Sequence, residues 1–217
     1  MLTIAHRAGN RLADLRAALD AGVDLVEADV HLFRGTLEMR HAYAVGWHML
    51  YEHRFSWRRD ADLPLLADVL ATAAGDPRLM LDLKGPLLAV APRVAAVLRE
   101  LAPDAPLAVC TKQWRMLDAF AQDPHIRLVH SAGNRRQLDR LRRRVRQRPG
   151  YGVSIRLQLL TPEIVAELRR STGQVMVWPV DDRAALDQAQ RVGATAVIGK
   201  DIDLLLRYKS GDPNRAT

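Results

Sequence analysis

Two carboxylates one residue apart, Glu27 and Asp29, stand near the end of the apolar run Asp24-Leu25-Val26-Glu27-Ala28-Asp29-Val30. In an extended strand they point to the same face. Like charges held together on a buried face repel one another and lose hydration unless a cation sits between them. A hard divalent ion, Mg²⁺ or Ca²⁺, suits such oxygen ligands; the plainer alternative is a solvated strand end. The same period-two arrangement recurs in Asp82-Leu83-Lys84. His6-Arg7 closes another short apolar run, His41 follows the extended piece Thr36-Leu37-Glu38-Met39-Arg40, and Trp178 closes Val175-Met176-Val177. Glu27, Asp29, Asp82, Lys84, Arg7, His6 and His41 brought together describe a metal-assisted site for an anionic substrate. The lysine and arginine bind the anion, and the imidazoles move protons near neutral pH.

These residues need elements that bring them to one place. Short runs rich in Val, Ile and Leu alternate with helical patterns along the chain. Strands are predicted at 2–6, 24–30, 79–84, 107–111, 126–130, 153–157, 175–180 and 196–199. Helices are predicted near 10–21, 64–74, 88–101, 113–122, 134–147, 162–171 and 182–192. Such alternation gives βα units and a parallel sheet. The number of units points to an α/β fold of the closed (β/α)₈ (TIM) barrel type, with a doubly wound open sheet as the alternative. In a closed barrel the C-terminal strand ends share one mouth, so the residues above converge. One interval breaks the rhythm: residues 31–63 form an insertion after the second strand, with 36–41 as one arm of a hairpin. Insertions there lie on the active face, so this segment is expected to wall or cover the site. Residues 1–207 are read as a single barrel and residues 208–217 as a flexible tail.

Composition narrows the classes. A chain of 217 residues with 48% hydrophobic and 26% charged residues is ordinary for a globular protein. No apolar run reaches the roughly 18 residues of a membrane span, and the N-terminus carries no signal-peptide pattern. The single cysteine, Cys110, reads as an inert core residue in a cytoplasmic protein. The net charge of +7 is concentrated in residues 134–148, where arginines at 135, 136, 140, 142, 143, 144, 146 and 148 face only Asp139. Leu138, Leu141 and Val145 recur there at helical spacing, giving a helix with a basic outer face. That face is either simply solvated or meets an anionic membrane surface. Aromatic interleaving is missing, so no nucleic-acid partner is expected.

In order along the chain, these motifs resemble the glycerophosphodiester phosphodiesterase family, whose members are (β/α)₈ barrels. His6-Arg7 matches the family's pair after strand one, Glu27-Ala28-Asp29-Val30 its Glu-x-Asp-Val, and His41 its second histidine. Asp82-Leu83-Lys84 matches an acid-x-Lys motif, and Trp178 a tryptophan on strand seven. Gly193 to Leu205 resembles a late glycine-to-isoleucine pattern with trailing leucines. The resemblance implies hydrolysis of glycerophosphodiesters, small-molecule substrates, to an alcohol and glycerol phosphate. It implies one cation on Glu27, Asp29 and Asp82, phosphate contacts from Arg7 and Lys84, and acid–base work by His6 and His41. Trp178 would line the substrate pocket, where its ring face suits a choline-like head group by cation–π attraction, unless it packs as an ordinary core tryptophan.

Several positions depart from the family pattern. Asn10-Arg11-Leu12 stands where the family has Glu-Asn-Thr, Gly35 where it has Asp-Gly, Ala42 where it has Asp after the second histidine, and Gly199-Lys200 where it has Thr-Asp. Asp82 replaces the usual Glu, a feature similar to sphingomyelinase D and phospholipase D toxins. Two other readings stay open: lysophospholipase D-type hydrolysis at membranes, with the arginine-rich helix and Trp47, Met49, Leu50, Tyr51, Phe55 and Trp57 as docking surfaces, and a catalytically silent barrel that binds a phosphate ester.

Overall fold

The computed structural model describes residues 1–41, 43–45, 48–51, 54–57 and 63–210. Eight parallel strands close on themselves in the order β1 (Leu2–Ala5), β2 (Leu25–Phe33), β7 (Leu79–Leu83), β8 (Ala108–Thr111), β9 (Arg127–Ala132), β10 (Gly150–Arg156), β11 (Thr172–Trp178) and β12 (Ala196–Gly199). Closure is made by β1, which pairs with β12 from Leu2↔Ala196 to Ala5↔Gly199 and with β2 through Ile4↔Leu25 and Ala5↔Val26. The closed barrel therefore holds, and the open doubly wound sheet does not. The fold is a closed (β/α)₈ barrel.

Strand β2 is the longest because it continues past the barrel into the expected hairpin. Arg34 and Gly35, both at positive φ (47° and 91°), form a two-residue turn of the kind that matches strand twist. Beyond it, β3 (Thr36–Met39) runs back antiparallel, from Phe33↔Thr36 to Val30↔Met39. In the remainder of the insertion, β4 (Tyr43–Val45), β5 (His48–Tyr51) and β6 (Arg54–Trp57) form a three-stranded antiparallel sheet. The expectation that the insertion walls the site rests on side chains outside the described residues, as does the docking role given to its aromatics.

The outer helices are α1 (Leu12–Ala21), α2 (Leu66–Ala73), α3 (Val90–Leu101), α4 (Arg135–Gln147), α5 (Pro162–Arg169), α6 (Arg183–Arg191) and α7 (Ile202–Ser210). Three of them, α4, α5 and α6, start on short polar caps: Asn134, Thr161 and Asp182 accept from the amides of Gln137, Ile164 and Ala185. In α4, Leu138, Leu141 and Val145 are buried as their spacing requires. Arg142 and Arg146 pair with Glu167, and Arg144 donates to His130 Nε2 at 3.0 Å.

Two sequence expectations need correction. The segment expected as a helix at 113–122 is a 3₁₀ helix, Trp114–Phe120. Its anchors fall every third residue: Trp114 Nε1 donates to Ser131 O at 2.9 Å, and Leu117 and Phe120 are buried. That spacing suits three residues per turn. The tail expected from residue 208 is helical as far as Ser210. Leu205 is fully buried there, and Lys209 Nζ reaches Gly22 O at 2.9 Å and Asp24 Oδ1 at 2.7 Å. The rest of that tail, 211–217, lies outside the described residues.

The barrel interior sets up the site. Side chains alternate faces, and the inward set at the lower levels is apolar: Ile4, Leu25, Met80, Ala108, Val129, Met176 and Ala196 pack as one cluster. Two residues further along five of these strands the inward positions turn polar. They become His6 after Ile4, Glu27 and Asp29 after Leu25, Asp82 and Lys84 after Met80, Ser131 after Val129, and Trp178 after Met176. The apolar floor excludes water beneath the carboxylates, which raises the cost of their charge.

Candidate active site

A cavity of about 310 Å³ opens at the C-terminal mouth and is lined by His6, Arg7, Glu27, His41, Asp82, Lys84 and Trp178, with Met80 among its other lining residues. Asp29 lies within that group, fully buried. All eight side chains singled out from the sequence therefore meet at one place. Carboxylate oxygens of Glu27, Asp29 and Asp82 lie within 4.8 Å of one another.

The backbone of the first loop explains how. Arg7 has φ 61°, in the left-handed region that costs a non-glycine residue on the order of 1–2 kcal/mol. In that conformation its amide donates to Glu27 Oε2 at 2.6 Å, a charge-assisted bond. The turn Ala8–Asn10 then lies flat on β2. A Cβ on Gly9 would come within 2.4 Å of Ala28 Cβ, so only glycine permits this approach. The close approach seats Asn10 against Asp29: its Nδ2 donates to Asp29 Oδ2 at 2.8 Å and its Oδ1 accepts from the Asp29 amide at 2.7 Å.

Lys84 lies between the acids, paired with Asp82 Oδ2 and 2.9 Å from Asp29 Oδ1. His41 Nδ1 is 3.2 Å from Asp29 Oδ2, and its Nε2 is 2.7 Å from Arg7 Nη2. An arginine can only donate, so Nε2 accepts, the ring proton is on Nδ1, and Asp29 receives it. Asp29 thus orients His41.

The charges follow from burial and neighbours. Burial opposes the charge on Asp29, yet Lys84 and the His41 hydrogen bond hold its carboxyl well below the usual range. Glu27 is driven well above its ordinary value by burial and then by the charge of Asp29. Asp82 is raised by burial, with Lys84 opposing and Asp29 adding to the rise. Burial and the neighbouring Arg7 push His6 down to about 3, so its imidazole is neutral at neutral pH. Its Nδ1 is buried with no hydrogen-bond partner among the described residues.

Residues outside the sequence prediction also line the mouth: Lys112, Ser131, Ser154, Arg156, Asp181 and Lys200, with Cys110 below them. Several lie an even number of positions beyond an inward-facing residue, as Lys112 does after Cys110 and Arg156 after Ser154. The period-two rule that found Lys84 locates them as well. The Cys110 thiol is pushed well up by burial and stays protonated, in keeping with an inert cysteine. The choline-like reading of Trp178 is altered, because Lys112 Nζ already lies over the ring, 4.6 Å from its centroid. A second cation brought to the same face would be repelled.

Fold and site together define a (β/α)₈ barrel with a hairpin insertion after its second strand and a carboxylate-rich mouth. Among solved structures it is similar to glycerophosphodiester phosphodiesterases. One from Thermotoga maritima aligns with a TM-score of 0.76 and 16% identity over 96% of this chain and 98% of that chain. One from Parabacteroides distasonis aligns at 0.71 and 16%, over 96% and 98%. An Oleispira antarctica phosphodiesterase, solved in complex with the product sn-glycerol-3-phosphate, aligns at 0.70 and 18%, over 95% and 96%. At these identities the shared property is the fold. No protein-family model and no curated protein matches the chain.

Proposed function

We propose that this chain is a phosphoric diester hydrolase of the glycerophosphodiester phosphodiesterase type. On this reading it cleaves a small glycerophosphodiester to an alcohol and glycerol phosphate. The observation that carries the reading is the grouping of Glu27, Asp29 and Asp82 beside His6, Arg7, His41 and Lys84 at one barrel mouth. The shared fold of phosphodiesterases, one of them holding sn-glycerol-3-phosphate, supports it.

A divalent cation fits the donor set. The three carboxylates offer hard oxygen ligands, Asp82 Oδ1 is buried without a hydrogen-bond partner among the described residues, and Glu27 and Asp82 resist ionisation unless positive charge is added. Glu27, Asp29 and Asp82 would hold Mg²⁺ or Ca²⁺, which supplies neutralisation of the charge building on the phosphate oxygens. Lys84 and Arg7 bind that phosphate, the arginine through two parallel N–H groups and the lysine as a point charge. Arg7 must then leave His41 Nε2, which frees that nitrogen for chemistry.

His6, neutral and with its lone pair available, takes the proton of the attacking hydroxyl, from water or from a neighbouring hydroxyl of the substrate; in the second case the product is a cyclic phosphate, which water then opens to glycerol phosphate. The new P–O bond forms as the bond to the leaving alcohol breaks. His41, charged in this step and steadied by Asp29, gives its proton to the leaving oxygen. Each of these roles is worth about 10²–10⁴-fold in rate.

The test is hydrolysis of glycerophosphocholine, glycerophosphoethanolamine, glycerophosphoglycerol and lysophosphatidylcholine with Mg²⁺, Ca²⁺ or EDTA. Cation-dependent turnover lost in His6→Ala and Asp29→Asn proteins supports the reading. Preference for the lysolipid selects the lysophospholipase D-type alternative. Tight phosphate-ester binding with no turnover selects the silent barrel, and turnover that survives EDTA and both substitutions places the chemistry elsewhere.

A further inference from the structure

The two halves of the mouth differ in charge. Strands β1, β2 and β7 bring the carboxylates, both histidines' neighbours Arg7 and Lys84, and the phosphate-binding geometry. The opposite half, from β8 to β12, brings Lys112, Arg156 and Lys200 into the same cavity, against one lining carboxylate, Asp181. Asp181 Oδ1 accepts the Lys200 amide at 2.8 Å. Neither Lys112 nor Arg156 makes an ion pair or hydrogen bond among the described residues.

The position of Lys112 is built. It follows β8, whereas Trp178 ends β11 three strands away, so the lysine side chain crosses the mouth to lie over the indole. Gly133, just after β9, makes room: a Cβ there would stand 3.3 Å from Lys112 Cε, Lys112 Nζ and Trp178 Cη2. The ammonium gains cation–π attraction from the ring while its donors stay open to the cavity. Burial lowers its affinity for the proton, and the charges of Lys84 and Arg156 act in the same direction. An anion entering that half relieves both.

We propose that Lys112, stacked on Trp178, and Arg156 form a second anion subsite, which selects diesters whose leaving alcohol carries a further negative charge, as a phosphate or a carboxylate. This rests on the phosphodiesterase reading and adds the substrate class to it. The scissile phosphate occupies the Arg7–Lys84 half, and the charged end of the leaving alcohol reaches across to Lys112 and Arg156. A quaternary ammonium head group meets two cations and an occupied aromatic face, and is disfavoured.

The experiment uses four glycerophosphodiesters that differ only in the leaving alcohol: glycerol, glycerol phosphate, glycerate and choline. Values of kcat/KM are measured with the wild-type chain and with Lys112→Met and Arg156→Met. Binding of the same four compounds to the His6→Ala protein, with and without Lys112→Met, is measured by calorimetry. The expected order is anionic above glycerol above choline. The anionic-to-choline ratio should reach about tenfold or more, the size of a charged hydrogen bond, and fall toward one in either variant. The phosphate and carboxylate members show which anion is preferred. Equal treatment of all four, in turnover or in binding, overturns the subsite. Absence of turnover with the charge order kept in binding and lost in Lys112→Met overturns the hydrolase reading and leaves the subsite standing. No measurable binding of any member overturns it.

Discussion

Asn10 touches no substrate atom in the scheme above, yet the geometry makes it the residue that aims Asp29. Its replacement by alanine removes an acceptor from the buried Asp29 amide and a donor from its carboxylate. An orphaned buried amide costs about 1–3 kcal/mol, and a hydrogen bond to a charged group is worth about 1.5–3 kcal/mol. The two share one residue and do not add fully, so Asn10→Ala is expected to lose about 2–4 kcal/mol. That is within the roughly 5–15 kcal/mol stability of a domain, so the protein stays folded and can be assayed. Loss of such a supporting contact typically weakens metal binding by about 10–100-fold. Urea unfolding reads the first quantity and calorimetric titration with Mg²⁺ or Ca²⁺ the second. Gly9→Ala should give the same signature, because its Cβ would meet Ala28 Cβ at 2.4 Å and lift the turn that carries Asn10. The double variant should then cost little more than the worse single one. Lost stability with unchanged cation affinity would reduce Asn10 to a structural role, and no change in either quantity would refute the reasoning.

Three further outcomes follow from the same geometry. Lys84→Met strips the buried Asp82 of its paired cation and leaves it beside the charge of Asp29, at a cost of about 3–5 kcal/mol, and Mg²⁺ should raise the thermal midpoint of the variant more than that of the wild type. Met80→Ala opens the barrel floor beneath the carboxylates and should cost about 2–5 kcal/mol in urea unfolding; a loss below 1 kcal/mol would mean the floor is not packed as described. Histidines 6 and 31 are held at about 3 and His130 at about 4, below the usual 6.5, so the unfolded chain binds more protons than the folded one through that window. The histidines' contribution to stability should be full above about pH 7 and fall on acidification toward pH 4, by at most about 1.4 kcal/mol per pH unit for each histidine. His130, shifted by burial first and by Arg144 next, is remote from the carboxylates, and His130→Gln should flatten the slope above pH 5.

The early motifs were legible because they obey local rules. Glu27 and Asp29, and Asp82 and Lys84, share a face through strand alternation, and the turn at Arg34-Gly35 announces the hairpin that brings His41. The eight-strand rhythm marked the barrel for the same reason: Val, Ile and Leu runs at those spacings have few other ways to be buried. The helix at 202–210 was missed because what holds it is distant in sequence. Lys209 reaches Gly22 and Asp24 across the whole chain, and no window of residues contains that contact.

The function of Asn10 and Lys112 was hidden by a related difficulty. Asn10 stood in the sequence as the remnant of a missing motif, and only the contact of Gly9 with Ala28 shows why an asparagine at that place still reaches Asp29. Lys112 stands between the predicted strand at 107–111 and the predicted helix at 113–122. Its position two residues past Cys110 predicts that it faces inward, but not that it crosses three strands to Trp178. That crossing is eased by an absent side chain at Gly133, and absence carries no pattern of its own. A tryptophan read alone invites a cationic ligand; the same tryptophan already covered by a lysine turns the preference to anions. In the proposed subsite, the charge preference is therefore set by a contact between β8, β9 and β11 that neighbouring residues in the sequence do not announce.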